Sequence, residues 1–220
     1  MTCCPHCVGA EDFFGERMAR HDLRRYRKKG PSVSTRRLLE AIGAPAGHDE
    51  TLLDIGGGVG AIDHELLAAG MPRAIHVEAS ASYLKAAEQE SERHGWRDRV
   101  THHHGDFVDL ASTLSDADVV TLDRVICCYP DMDRLVELSA AKAKRVYGLV
   151  YPRERWAVRT VIGLGNLFLR LRRTAFRVYV HRSRAVDAAV ARSGFHRSSY
   201  SRTFFWQIVT YTRMAPNGQR

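Results

Sequence analysis

From residue 51 onward the chain alternates short apolar runs with amphipathic stretches, which is how a parallel sheet with crossover helices reads in sequence. The runs predict strands at about 51–55, 73–78, 99–104, 117–122 and 144–150. Helices fall between them at about 59–69, 80–94 and 131–142, the second opened by Ser80 or Ser82 and the third by Asp131, side chains that can accept from first-turn N–H groups. Right-handed βαβ crossovers are expected. Ahead of this series, Glu11 to Lys29 is charged and helix-friendly and stops at Gly30-Pro31; Ser32 or Ser34 then opens a helix that carries Leu38, Leu39 and Ile42 on one face and ends at Gly43-Ala44-Pro45. Behind it, Trp156 to Leu171 has apolar residues at helical spacing, although Gly163 and Gly165 weaken an unbroken helix. A short helix from Ser183 to Ser193 ends at Gly194, two strands follow at Phe195–Ser201 and Phe204–Thr212, and Met214 to Arg220 reads as a frayed tail.

The 220 residues suit one domain, and 45% apolar with 26% charged residues excludes a disordered or collagen-like chain. No stretch approaches about 18 consecutive apolar residues, and Met1 to Ala10 lacks the pattern of a signal peptide, so the expected compartment is the cytoplasm. Five cysteines, an odd number that includes the adjacent pair Cys127 and Cys128, read as reduced thiols. Cys3-Cys4-Pro5-His6-Cys7 lacks the second ligand pair of a structural zinc site unless His102, His103 or His104 comes near; no metal is assigned. Charge is unevenly spread. Residues 1–150 hold 19 Lys+Arg against 23 Asp+Glu, whereas 151–220 hold 14 arginines against Glu154 and Asp187 alone. Such a region is either a solvated basic face or a surface that attracts an anion: an acidic small substrate, RNA or an acidic membrane. The apolar stretch 156–171 fits a lid, a dimer face or a membrane-surface element equally well, and the oligomeric state is left open.

The strongest local signal is Thr51-Leu-Leu-Asp-Ile-Gly-Gly-Gly-Val-Gly60, an apolar strand that runs into a glycine-rich turn and then a helix. Glycines there tolerate positive φ and let the backbone approach a ligand, at the place where ligands bind open α/β sheets. Glu78 closes the next strand, placed to accept hydrogen bonds from both hydroxyls of a ribose.

Asp54-x-Gly56-x-Gly58-x-Gly60, followed by Glu78 and by Gly105-Asp106, resembles the class I S-adenosylmethionine-dependent methyltransferases over roughly residues 50–150. The resemblance implies a Rossmann-like α/β fold, a doubly wound sheet of seven strands with the last antiparallel, under an N-terminal helical lid at 1–45. It also implies that Gly56, Gly58 and Gly60 pack on the methionyl part of the cofactor, that Glu78 binds the ribose, and that Asp106 meets the adenine amino group. Phe107 beside it, Asp123 and Arg124 after the strand at 117–122, and Tyr26 on the lid complete the implied cofactor set. Gly56-x-Gly58-x-x-Ala61 also fits a dinucleotide fingerprint, but an acid at Asp54 suits the cationic end of S-adenosylmethionine and would repel a pyrophosphate.

The acceptor side reads as Asp123-Arg-Val-Ile-Cys-Cys-Tyr-Pro130; no Asn-Pro-Pro-Tyr motif of the amino-methylating enzymes stands here. The order Tyr-Pro, strand, Tyr151-Pro152, then the arginine-rich stretch resembles more loosely, over about 120–212, the magnesium-protoporphyrin O-methyltransferase branch. That branch has a histidine where this chain has Cys128, so a histidine base does not carry over. The expected acceptor is an oxygen of a small anionic molecule, a carboxylate or a hydroxyl. A carboxylate needs alignment only, with Arg155 and Arg159 orienting it beside Cys128 and with Arg170, Arg172 and Arg173 further along; a hydroxyl needs Tyr129 or His104 as proton acceptor or relay. The alternative is an RNA-directed methyltransferase or an RNA-binding module on the same fold, with strongly salt-dependent affinity.

Overall fold

The structure, a computed structural model, describes residues 13–45 and 47–214. The cysteine cluster at Cys3, Cys4 and Cys7 and the tail beyond Met214 lie outside them. Two helices come first, α1 (Glu16–Lys29) and α2 (Val33–Ile42). Ser32 caps α2 by accepting from Thr35 N–H, and Gly43 ends it with φ 79°. The alternating series follows as β1 (Thr51–Ile55), α3 (Ala61–Ala68), β2 (Arg73–Glu78), α4 (Ala81–Arg93), β3 (Val100–His104), α5 (Phe107–Leu110), β4 (Ala117–Asp123), α6 (Met132–Ala141) and β5 (Ala143–Pro152). Ser80 caps α4 and Asp131 caps α6. The chain closes with α7 (Trp156–Leu171), α8 (Ser183–Arg192), β6 (Phe195–Arg202) and β7 (Trp206–Arg213).

Two details differ from the sequence reading. Helix α7 runs unbroken through Gly163 and Gly165: both glycines are exposed, and Val158 and Ile162 anchor its inner face. The side chain of Asn166 also ties α7 to the following segment, donating to Val178 O at 2.7 Å and accepting from Val178 N–H at 2.9 Å. The short α5 was not foreseen, although Asp106 before it caps Val108 N–H at 3.0 Å in the manner of a helix start.

The seven strands lie in the order β3-β2-β1-β4-β5-β7-β6, with β7 antiparallel to both neighbours. Alternate residues of each strand point to opposite faces, so Leu52 and Val119 join one core with α2 and α3, while Leu53 and Val120 join another with α6 and α8. The order reverses at β1, which sends β2 to one side and β4 to the other and opens a crevice at the carboxyl ends of these strands. Among the described residues no helix is long and apolar enough to cross a membrane.

Candidate active site

A cavity of about 410 Å³ fills that crevice, within the range of small-molecule sites. Its floor is Gly56 and Gly58 after β1, Glu78 at the end of β2, Asp106 and Phe107 after β3, and Asp123 and Arg124 at the end of β4. Gly56, Gly58 and Gly60 all have positive φ, 63°, 60° and 77°, so these positions favour glycine. Gly56→Ala is expected to destabilise the fold by about 1–3 kcal/mol, read as a lower urea midpoint, because left-handed backbone strains alanine. Its Cβ would also stand 2.6 Å from Val125 Cγ2. The half-buried Glu78 carboxylate braces the loop, taking Gly58 N–H on Oε2 at 2.9 Å and Ser80 N–H on Oε1 at 2.8 Å.

The mouth is aromatic. Phe13 stacks on Phe176 with centroids 4.5 Å apart, and Phe14 meets Phe176 and Tyr83 edge-on at 5.2 and 5.9 Å. The N-terminal segment is tied to the body: Tyr83 OH donates to Asp22 on α1 at 2.6 Å, Ser80 OH donates to Phe14 O at 2.9 Å, and Arg27 Nε–H donates to buried Glu90 at 2.7 Å. Opposite, the segment after α7 lies along the loop behind β4, where Tyr179 N–H donates to Cys127 O at 2.7 Å. Tyr129 and Cys128 line the wall between, with Tyr129 OH donating to Asp106 Oδ2 at 3.0 Å. Arg124 takes a positive φ of 65° at this edge, strain typical of a functional loop, and pairs with Asp123 at 3.0 Å.

Other expected site residues fall elsewhere. Asp54 is 1% exposed behind the glycines, its Oδ1 accepting from Thr121 OH at 2.6 Å, and it borders only a smaller adjoining cavity of about 110 Å³. Burial and the charge of Asp63 push its carboxyl well above the usual range, so it is a weak partner for a cation. Tyr26 borders that smaller cavity too, its OH donating to Glu65 at 3.2 Å, and Gly60 lies outside both, at the start of α3. His104 is exposed at the end of β3 and bonds Ala79 O at 3.1 Å; it is not among the residues that line the cavity. Arg155, Arg159, Arg170, Arg172 and Arg173 are all exposed and none lines the cavity. The Cys127 thiol is pushed well up by its hydrogen bond with Cys128 and by burial, which suits a packed thiol and not a nucleophile.

Beneath Gly57 lies a buried polar cluster that sequence reasoning missed. His76 Nδ1 bonds Asp63 Oδ2 at 2.6 Å, and a Cβ on Gly57 would stand 2.5 Å from His76 and 2.7 Å from Asp54. The ligating atoms of Asp54, Asp63 and His76 lie within 4.8 Å of one another, but the His76–Asp63 contact already consumes two of them, so the group acts as a buried ion pair. Burial alone would lower the His76 pKa; the charge of Asp63 and its hydrogen bond overcome this and raise it to about 9. His64 and His102 are held neutral, their pKa lowered to about 4 chiefly by burial.

Residues 53–146 match the model of the methyltransferase domain family. The chain carries a methyltransferase domain. Its strand order and glycine loop are those of the class I, S-adenosylmethionine-dependent enzymes. A sequence comparison with curated proteins finds no match. Among solved structures, the methyltransferase resembles magnesium protoporphyrin IX methyltransferase from Synechocystis PCC 6803 with bound S-adenosylmethionine, at TM-score 0.67 and 17% identity over 97% of this chain and 100% of the other. An O-methyltransferase family 2 protein from Planctomyces limnophilus, in complex with apigenin, aligns at TM-score 0.66 and 19% identity over 90% of this chain and 62% of its own. A chain from the Haloferax volcanii complex of the Trm112 activator with a putative methyltransferase aligns at TM-score 0.69 and 14% identity, over 96% of this chain and all of its own. At these identities the structural matches establish the fold. The Synechocystis neighbour holds S-adenosylmethionine, and the cavity here suits a molecule of that kind, with a glycine floor that admits close approach and a carboxylate at the end of β2.

Proposed function

We propose that the enzyme methylates an oxygen of a small, largely apolar molecule that carries a carboxylate or hydroxyl. The observation that carries this reading is the lining above the glycine floor: Phe13, Phe14, Phe176, Val178 and Trp206 make it mostly apolar, and on the wall Tyr129 and Cys128 bring polar groups next to Asp106 and Arg124 of the floor. A long polar substrate such as RNA would leave most of that lining unmatched.

When bound, S-adenosylmethionine supplies an activated methyl on a sulfonium. Glu78 would hold the ribose hydroxyls, and Gly56 and Gly58 would lie beside the chain of the cofactor. Phe13, Phe14 and Phe176 close the mouth and exclude water, which strengthens every charge interaction inside. A carboxylate acceptor is already ionised at neutral pH, and Arg124 orients it. A hydroxyl acceptor would hand its proton to Tyr129, whose own phenolic proton would pass to Asp106, the carboxylate it already bonds; this reading makes Asp106 a proton relay in place of the adenine contact that the family resemblance implies.

The test is methyl transfer from labelled S-adenosylmethionine to a panel of aryl carboxylic acids and phenols. Tyr129→Phe is expected to lower kcat about a hundredfold for a phenol and to change it less than about threefold for a carboxylate, with affinity for S-adenosylhomocysteine unchanged. Equal losses for both acceptor classes would remove the relay, and no transfer to either class by protein that binds S-adenosylhomocysteine would remove the acceptor assignment.

A further inference from the structure

Helix α7 has two unlike faces. One buries Val158 and Ile162 against the body; the other bares Trp156, Val161, Leu164, Leu167, Phe168 and Leu171, each between 54% and 79% exposed. At about 100° per residue these six share an arc of roughly 140°, the broad apolar stripe that a helix normally turns toward a core. Phe204, 72% exposed, extends the patch beside Arg155.

Along α7 and the segment that follows it, charge has one sign. Between Glu154 and Asp187 there is no acid, while eight arginines occupy the same stretch. Arg159 and Arg170 border the apolar arc on one side, and Arg172 stands 4.8 Å over the Phe168 ring at the end of the helix. An apolar stripe bounded by cations, with large side chains and no acids, is the pattern of a helix that lies in the plane of an acidic lipid surface. A second copy of the chain fits less well, because a two-fold contact would bring like-charged borders together. An RNA partner gives no reason to bare leucines and phenylalanine.

We infer that α7 docks the enzyme on anionic membranes, its apolar arc entering the acyl boundary and its arginines meeting the headgroups. Asn166 on the same helix holds Val178, a cavity wall residue, so the docked face adjoins the site. An amphiphilic acceptor could then enter from the lipid, a consequence that rests on the proposed function; the docking itself does not.

The test is flotation of the full chain with vesicles of phosphatidylcholine alone and of phosphatidylcholine mixed with phosphatidylglycerol. Binding is expected to the mixed vesicles, weaker by roughly tenfold or more in high salt, and weaker by at least as much for Leu164→Gln/Leu171→Gln at low salt. Both leucines are exposed, so that variant should keep its melting temperature and its affinity for S-adenosylhomocysteine. Three results would overturn the inference: no flotation with mixed vesicles, equal flotation with both vesicle types, or flotation indifferent to the double substitution. A dimer in sedimentation velocity that the double substitution dissolves would assign the face to a second copy instead.

Discussion

Glu78→Ala is expected to weaken S-adenosylhomocysteine binding about tenfold to hundredfold in isothermal titration, the loss of one or two charge-assisted hydrogen bonds. The carboxylate is proposed to hold the ribose, and it also braces the site, since Gly58 N–H and Ser80 N–H both donate to it. Alanine removes the proposed ligand contact and the brace together, so the loop that forms the cavity floor loses its fixed position. Glu78→Gln keeps an oxygen for one of the two N–H donors but loses the charge, and its affinity should fall between the two. Both variants should remain folded, because Glu78 is only partly buried at the end of its strand. Wild-type affinity in a folded Glu78→Ala protein would remove the residue from the cofactor set.

Stability should depend on pH in both directions. His76, fully buried between Asp54, Asp63, Glu78 and His102, has its pKa raised from 6.5 to about 9. A raised pKa gives stabilisation that is complete below the unfolded value near 6.5 and is lost as pH rises through about 9, on the order of 3 kcal/mol. His64 and His102, lowered to about 4, act in the opposite sense: their contribution is present above 6.5 and is lost as pH falls toward 4. Urea midpoints should therefore peak between these limbs. For His76→Asn the alkaline decline should flatten while the acid decline persists, and parallel curves for the two proteins would show that His76 is not charged in the native state.

What the sequence disclosed is what local backbone chemistry dictates. Ser32, Ser80 and Asp131 announce helix starts through their own side chains, and Gly56, Gly58 and Gly60 mark positive φ. Glu78 is recognisable because it ends the strand next to that loop. The aromatic mouth has no such signature: Phe13 and Phe176 meet across most of the chain, and no periodic pattern records a contact that only the tertiary fold creates. The arginines of 151–220 show the complementary failure, since composition reveals their charge and says nothing of direction; Arg155 and Arg159 are exposed outside the cavity, while Arg124, which the resemblance had singled out, lines it. His104, expected as a proton acceptor or relay, sits at the very end of β3, where the pleat no longer decides what a side chain meets.

The antiparallel insertion of β7 bears on how the chain is completed. Strand β6 pairs with β7 alone, and the free side of β5 is likewise covered by β7. When a growing chain has emerged only as far as β6, that strand has no sheet to join and β5 still shows an unpaired ladder of N–H and C=O groups. Closure then waits on residues 206–213, which mend both edges at once by threading between strands already made. The final stretch of translation thus covers the exposed flank of β5 and seats β6 as the border of the sheet, and a ribosome that stalls shortly before it holds the species most prone to pair with a neighbour.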